Sequence, residues 1–219
     1  MKITEDVYML NSSRHSHVFL VLTPEPVLID TGMGFAGRAM LRELNNLGLM
    51  NIRHILLTHH DVDHIGNAAR LQAQTGATVH ASAADIPYIT GEQERHSFKK
   101  YIGRLMRVKP PENLVPFGET EDVNGIRVIP TPGHTPGHVC FLYKDVLFAG
   151  DLLENRKKGL LRGLRKDEGF LGCIPYPAPW GWNYPMLLDS VKAISAYPFE
   201  WICPAHGQPV RRGEHLKRR

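Results

Sequence analysis

The chain has 219 residues, 42% of them hydrophobic and 22% charged, which suits a single globular domain with a buried core and excludes a disordered or fibrous chain. The formal net charge is +4, but stretches 91–109, 154–168 and 211–219 carry +4, +3 and +4, so the remainder is acidic. Such basic segments either attract anions at one surface or are simply solvated, and no nucleic-acid partner is expected.

In chain order, DVYML (6–10), HVFLVL (17–22) and PVLID (26–30) read as successive strands. FAGRAMLRELNNLG (35–48) has apolar residues at helical spacing and a glycine stop. RHILLT (53–58) reads as a buried strand, IGNAARLQAQTG (65–76) as a second amphipathic helix, and ATVHAS (77–82) as a strand. The alternation then breaks. Residues 84–118 read as a helical insertion with a Pro-rich return. Strands resume at GIRVIPT (125–131), HVCFLY (138–143) and VLFAGD (146–151). A Pro-, Gly- and Arg-rich segment at 152–182 is too long for a plain connector. YPMLLDSVKAISAY (184–197) reads as a helix and EWICPAH (200–206) as a last strand. Two runs of strands, each followed by helices, suggest two packed sheets with helices outside, in one domain over 1–219.

The first residues lack a basic segment followed by an apolar run, and no apolar stretch approaches membrane length, so neither a secretory signal nor a membrane partner is expected. Cys140, Cys173 and Cys203 are odd in number and widely spaced, which argues against a disulfide framework and for a reducing cytoplasm.

Twelve histidines are many for this length, and several follow apolar runs beside Asp and Gly. Four segments share one design, a strand that ends in a polar residue able to bind metal: LLTHHDVDHIG (56–66), IPTPGHTPGH (129–138), LFAGD (147–151) and ICPAHG (202–207). Stiff strands would hold these residues while the loops aim them. In the first segment, an extended chain would put His59, Asp61 and Asp63 on one side, with His64 opening the helix. Imidazole and carboxylate together suit Zn, Fe or Mn. The competing reading of Asp61 and Asp63 is a helix N-cap.

In order, these motifs resemble the metallo-β-lactamase superfamily: Asp30 in LIDTG, His59-x-Asp61-x-Asp63-His64, His134 in TPGHTPGH, Asp151 in FAGD and His206 in PAHG. The resemblance spans about residues 5 to 210. It implies an α/β fold, the αββα four-layer sandwich, here with a helical insertion around 84–118. It also implies two divalent metal ions, zinc first and iron or manganese as alternatives. By the same resemblance His59, Asp61 and His134 hold one ion; Asp63, His64 and His206 hold the other; Asp151 bridges; and Asp30 steadies the ligand loop. The family's second histidine is Asp61 here, with His60 adjacent. Flavodiiron proteins also carry a carboxylate there, so iron is a serious candidate.

The chemistry implied is hydrolysis of a small-molecule ester, thioester or lactone, possibly anionic, by a metal-bound hydroxide, with Asp63 orienting the nucleophile as well as ligating. A phosphodiesterase and an iron-dependent redox enzyme are the alternatives. Glyoxalase II-like enzymes usually add a C-terminal helical domain, and only 13 residues follow His206. Acyl-homoserine lactonases share TPGHTPGH but carry Tyr three residues after the bridging Asp, where this chain has Glu154. Arg156, Lys157, Lys158, Arg162 and Arg165 would recruit an anionic group, and Tyr176, Trp180 and Trp182 would line an apolar wall or staple a loop. An exposed sheet edge would leave room for a dimer.

Overall fold

The computed structural model describes residues 1–13, 15–94, 108–118, 122–155 and 173–212, which fall into two compact units, Met1–Gly125 and Ile126–Arg219. The basic cluster expected at 156–165 and most of the insertion helix lie outside the described residues.

In the first unit six strands form one sheet in sequence order: β1 (Val7–Met9), β2 (Phe19–Val21), β3 (Val27–Ile29), β4 (His54–Leu56), β5 (Thr78–Ala81) and β6 (Val115–Pro116). The first three pair antiparallel through short connections. The remaining pairs are parallel, and parallel neighbours need a crossover. Helix α1 (Gly37–Asn46) joins β3 to β4, and α2 (Val62–Ile65) with α3 (Ala68–Thr75) joins β4 to β5. Met40 and Leu44, one helical turn apart, pack with Leu71, Leu20, Leu28, Ile55 and Val79 in this unit's core. Helix α3 stops at Gly76, whose left-handed φ of 71° lets its N–H reach the Gln72 carbonyl at 2.8 Å. Helix α4 (Ile86–Thr90) follows β5, and the short strand β7 (Asp122–Val123) comes last.

One expectation needs correction. The single helix over 65–76 is two helices, and the first opens at Val62 rather than at His64. Tertiary contact breaks the run. Gly66 lies so close to the 32–34 backbone that a Cβ there would sit 2.5 Å from the Gly34 nitrogen. Asn67 then spends its amide on the carbonyls of Thr31 and Met33, both at 2.7 Å.

The second unit holds β8 (Ile126–Pro130), β9 (Val139–Tyr143), β10 (Val146–Asn155), β11 (Ile174–Pro175), helix α5 (Tyr184–Ile194), β12 (Trp201–Gly207) and β13 (Val210–Arg211). The sheet order is β13-β12-β10-β9-β8, with β11 beside β10. Helix α5 is the crossover that makes β10 and β12 parallel. Its start is fixed by Asn183, whose side chain accepts from the Met186 N–H at 3.1 Å. Its buried stripe Leu187, Val191 and Ile194 packs on Leu142, Leu147 and Ile202. Strand β10 runs four residues past the expected end at Asp151, so the segment expected as a loop from 152 is strand as far as Asn155.

Mixed α/β content with two sheets and few helices is what the sequence led us to expect. Among the described residues no helix is long and apolar enough to cross a membrane.

Candidate metal centre

In the first unit the candidate ligands follow β4. Asp30, just past β3, organises them. Its backbone is left-handed, φ 59°, an uncommon conformation that Asp tolerates better than most residues. One carboxylate oxygen accepts from the Thr58 N–H and the other from the Thr58 hydroxyl, each at 2.8 Å. The second oxygen also lies 2.8 Å from His64 Nδ1. A carboxylate accepts, so the His64 proton sits on Nδ1 and its Nε2 presents a lone pair. The Thr58 hydroxyl, having given its proton to Asp30, accepts from His59 Nδ1 at 2.9 Å. His59 is thereby set in the same tautomer. Both rings are buried, with centroids 3.9 Å apart.

Asp61 occupies the position before α2, but its side chain makes no capping bond. Its Oδ2 instead lies 3.4 Å from His59 Nε2. The capping role considered for Asp61 is therefore not the one its side chain plays. Asp63 sits in the first turn of α2 with its Oδ2 3.8 Å from His64 Nε2. At 23% side-chain exposure it is far more open than His59, Asp61 or His64. His60 is held from behind: its N–H and its ring Nδ1 both lie 3.0 Å from Asp85 Oδ2, its ring stacks on Tyr88 at 4.6 Å, and its Nε2 is 3.9 Å from Asp61 Oδ1.

In the second unit His134 lies in the turn between β8 and β9, whereas Asp151 and His206 lie within β10 and β12. Gly133 makes the turn possible: φ is 139°, and a Cβ there would sit 2.3 Å from the Leu187 nitrogen of α5. Asp151 is 1% exposed, and its two oxygens address two different imidazoles. Oδ2 is 3.3 Å from His134 Nε2 and Oδ1 is 3.3 Å from His206 Nε2.

Behind Asp151 runs a chain of bonds the sequence only hinted at. The Asp151 N–H donates to His138 Nε2 at 3.1 Å, so the His138 proton is on Nδ1, which donates to the Thr131 hydroxyl at 2.9 Å. Thr131 passes its own proton to Cys140 Sγ at 3.4 Å, and that thiol faces the Ala149 carbonyl at 3.6 Å. His138 therefore supports the backbone of Asp151. Burial pushes the thiols of Cys140 and Cys173 up to about 12, the former eased by its Thr131 bond. Burial, and then the nearby Cys173, push Cys203 well above its ordinary value. All three are free and buried, and none is an available nucleophile.

The donor set fits divalent cations. It is imidazole nitrogen and carboxylate oxygen, without thiolate, the mixture that suits Zn, Fe or Mn. Donors about 2.0–2.1 Å from a tetrahedral ion are separated by roughly 3.3–3.4 Å. Three nitrogen–oxygen pairs, two in the second unit and one in the first, stand at 3.3, 3.3 and 3.4 Å. Residues that the sequence reading missed are Thr58, Thr131, Asp85 and Tyr88. A Thr directly after an apolar run, in both LLTHH and IPTPGH, was an available signal for the first two. For Asp85 and Tyr88 the sequence offers none.

A profile of the metallo-beta-lactamase superfamily matches residues 14–206. The probable metallo-hydrolase YflN of Bacillus subtilis is 30% identical over 221 residues, 88% of this chain and 80% of its own length. A hydroxyacylglutathione hydrolase of Rhodospirillum rubrum is 29% identical over 204 residues, 91% of this chain and 64% of that protein. Among solved structures, TTHA1623 in a di-iron-bound form matches with a TM-score of 0.71 at 27% identity, covering 96% of each chain.

Proposed function

The chain belongs to the metallo-beta-lactamase superfamily, and from that premise we propose that it is a binuclear metallo-hydrolase cleaving a small-molecule ester, thioester or lactone. By the family pattern, His59, Asp61 and His134 would hold one cation, Asp63, His64 and His206 would hold the other, and Asp151 would serve both. The observation that carries this reading is Asp151 itself: one buried carboxylate whose two oxygens each face a different imidazole at 3.3 Å. A carboxylate serving one ion, or one simple ion pair, has no need of that division. Asp61 rather than His60 completes the first set, because Asp61 Oδ2 stands 3.4 Å from His59 Nε2, whereas the His60 ring is stacked on Tyr88 and its Nε2 comes no nearer than 3.9 Å to Asp61.

Divalent cations held there supply Lewis acidity and lower the pKa of a water toward ~7. The chain's residues do the remainder. Asp30 and Thr58 fix two imidazoles with Nε2 forward. Asp63, the most open carboxylate of the set, orients the attacking water and accepts its proton at a carboxylate oxygen. No cysteine takes part, since all three thiols are buried.

A thioester leads the substrate class, supported by the hydroxyacylglutathione hydrolases among the relatives. Glu154 in place of tyrosine weighs against a lactone. Zinc is the proposed metal, with iron the alternative because Asp61 adds a hard ligand and TTHA1623 has been seen with two irons. Three free thiols support a reducing compartment, the cytoplasm. The test is a panel of thioesters, lactones and bis-nitrophenyl phosphate assayed with Zn, Mn and Fe. The expected result is preference for a thioester. Cleavage of the phosphodiester alone would overturn the substrate class, and no turnover with any metal would overturn the reaction.

A further inference from the structure

We infer that Tyr176 is a positioning residue whose ring sets both imidazoles that face Asp151. This rests on the metal-holding role proposed above for His134 and His206, and it concerns a residue that no step of that reaction uses. Tyr176 is 9% exposed. Its ring stands nearly perpendicular to that of His134, 82° at a centroid distance of 4.7 Å, and tilts against that of His206, 42° at 5.7 Å. One side chain thus touches two imidazoles carried by separate elements, a loop after β8 and the end of β12.

The ring is itself held firmly. It follows β11, which pairs antiparallel with β10 through Leu153 with Pro175 and Glu154 with Ile174. The Tyr176 N–H donates to the Leu152 carbonyl, one residue past Asp151, at 3.1 Å. Farther along the same segment, the Trp182 N–H donates to the His134 carbonyl at 2.9 Å and the Asn183 N–H to the Gly133 carbonyl at 2.8 Å. Gly181 is pressed against that loop, where an added Cβ would lie 3.4 Å from the Gly133 oxygen. Asn183 then caps α5, and Ser190 of α5 bonds the Pro132 carbonyl at 2.7 Å. The segment 174–183 therefore fixes the His134 loop through its backbone and both imidazoles through one ring. An imidazole has free rotation about two bonds, and a metal tolerates little error in where its nitrogen points. An aromatic face and edge restrict that rotation without competing for the nitrogen.

The test compares the full wild-type chain with Tyr176→Phe and Tyr176→Leu, the latter keeping apolar volume without a ring. Each is stripped with a chelator, and Zn and Co(II) dissociation constants are measured by chelator competition. The visible absorption of the Co(II) form reports ligand geometry, and a thermal melt of the stripped protein reports the fold. Tyr176→Phe should bind within about twofold of wild type, because the ring is kept. Tyr176→Leu should bind on the order of tenfold or more weakly, with a changed Co(II) spectrum. A Leu variant that melts earlier yet binds metal as wild type does would reduce Tyr176 to packing and overturn the inference. A Phe variant as weak as Leu would move the role to the hydroxyl and overturn it too. A wild type that takes up no cation overturns both this and the parent reading; a wild type that binds two, with Leu its equal, overturns this one alone.

Discussion

The two units supply their candidate ligands in opposite ways. The first delivers four from one run of six residues, His59 to His64. Its geometry comes from a distant carboxylate: Asp30 aligns Thr58 and His64 directly, and His59 through Thr58. The second delivers three from three elements, a turn, β10 and β12, the last two being parallel neighbours in one sheet that carry Asp151 and His206. A loop set is precise only while its hydrogen bonds last. A set built on paired strands keeps its spacing as long as the sheet survives. The first should therefore be sensitive to loss of one buried bond, and the second mainly to loss of a ligand.

The largest expected effect breaks the second set at its shared residue. Asp151→Ala should abolish turnover, a fall of about 10⁴-fold or more, and lower bound metal from two ions per chain toward none. Metal analysis after gel filtration, with a melting curve to confirm the fold, checks this. Next, Asp63→Asn should cut kcat by roughly 10²–10⁴-fold with the sheet intact, read by steady-state kinetics and circular dichroism. A variant with wild-type turnover would remove Asp63 from the proton-transfer role. The braces behind the ligands sharpen the contrast. Asp30→Ala leaves the Thr58 N–H and the His64 ring without their acceptor, so metal affinity should fall about 10–100-fold in a chelator competition. His138→Leu removes the acceptor for the Asp151 N–H and the donor to the Thr131 hydroxyl, on a strand that β9 and β12 already flank, so the same assay should show about tenfold or less. If His138→Leu cost more than Asp30→Ala, the distinction between loop-held and strand-held ligands would be wrong. The smallest effect is expected at the thiols. With Cys140 and Cys173 near 12, only about one thiol in 10⁴ is ionised at pH 8. Maleimide should leave the native chain unlabelled and its activity unchanged, and label three sites after denaturation, as mass spectrometry would show. Their stability contribution has a sign: the unfolded thiols ionise near 9 and the folded ones do not, so stability is lost as pH rises past 9.

Most strands were legible as short apolar runs between turn residues, and the two long helices by an apolar helical period with a glycine or asparagine boundary. The helix expected over 65–76 was misjudged because Gly66 and Asn67 answer to the 31–34 backbone, a contact no local pattern encodes. The full length of β10 was hidden as well, since Gly150 and Asp151 read as a strand end and Glu154 and Asn155 are poor strand formers. In the site, His59, Asp61, Asp63, His64, His134, Asp151 and His206 stood out by residue type and spacing. Of what supports them, Asp30 was read from LIDTG, but the rest was not. Asp85 holds His60 from 25 residues away, and Tyr176, read as part of an apolar wall or a loop staple, touches His134 and His206. A ligand must have a particular chemistry and so leaves a mark in the sequence; a brace needs only to be in the right place.

The central claim is that two cations share the oxygens of Asp151. Anomalous X-ray scattering from crystals of the metal-loaded protein measures this directly. The account predicts two peaks about 3.5–4 Å apart on either side of that carboxylate, one beside His134 and one beside His206. A single peak, or peaks that do not touch Asp151, would contradict it.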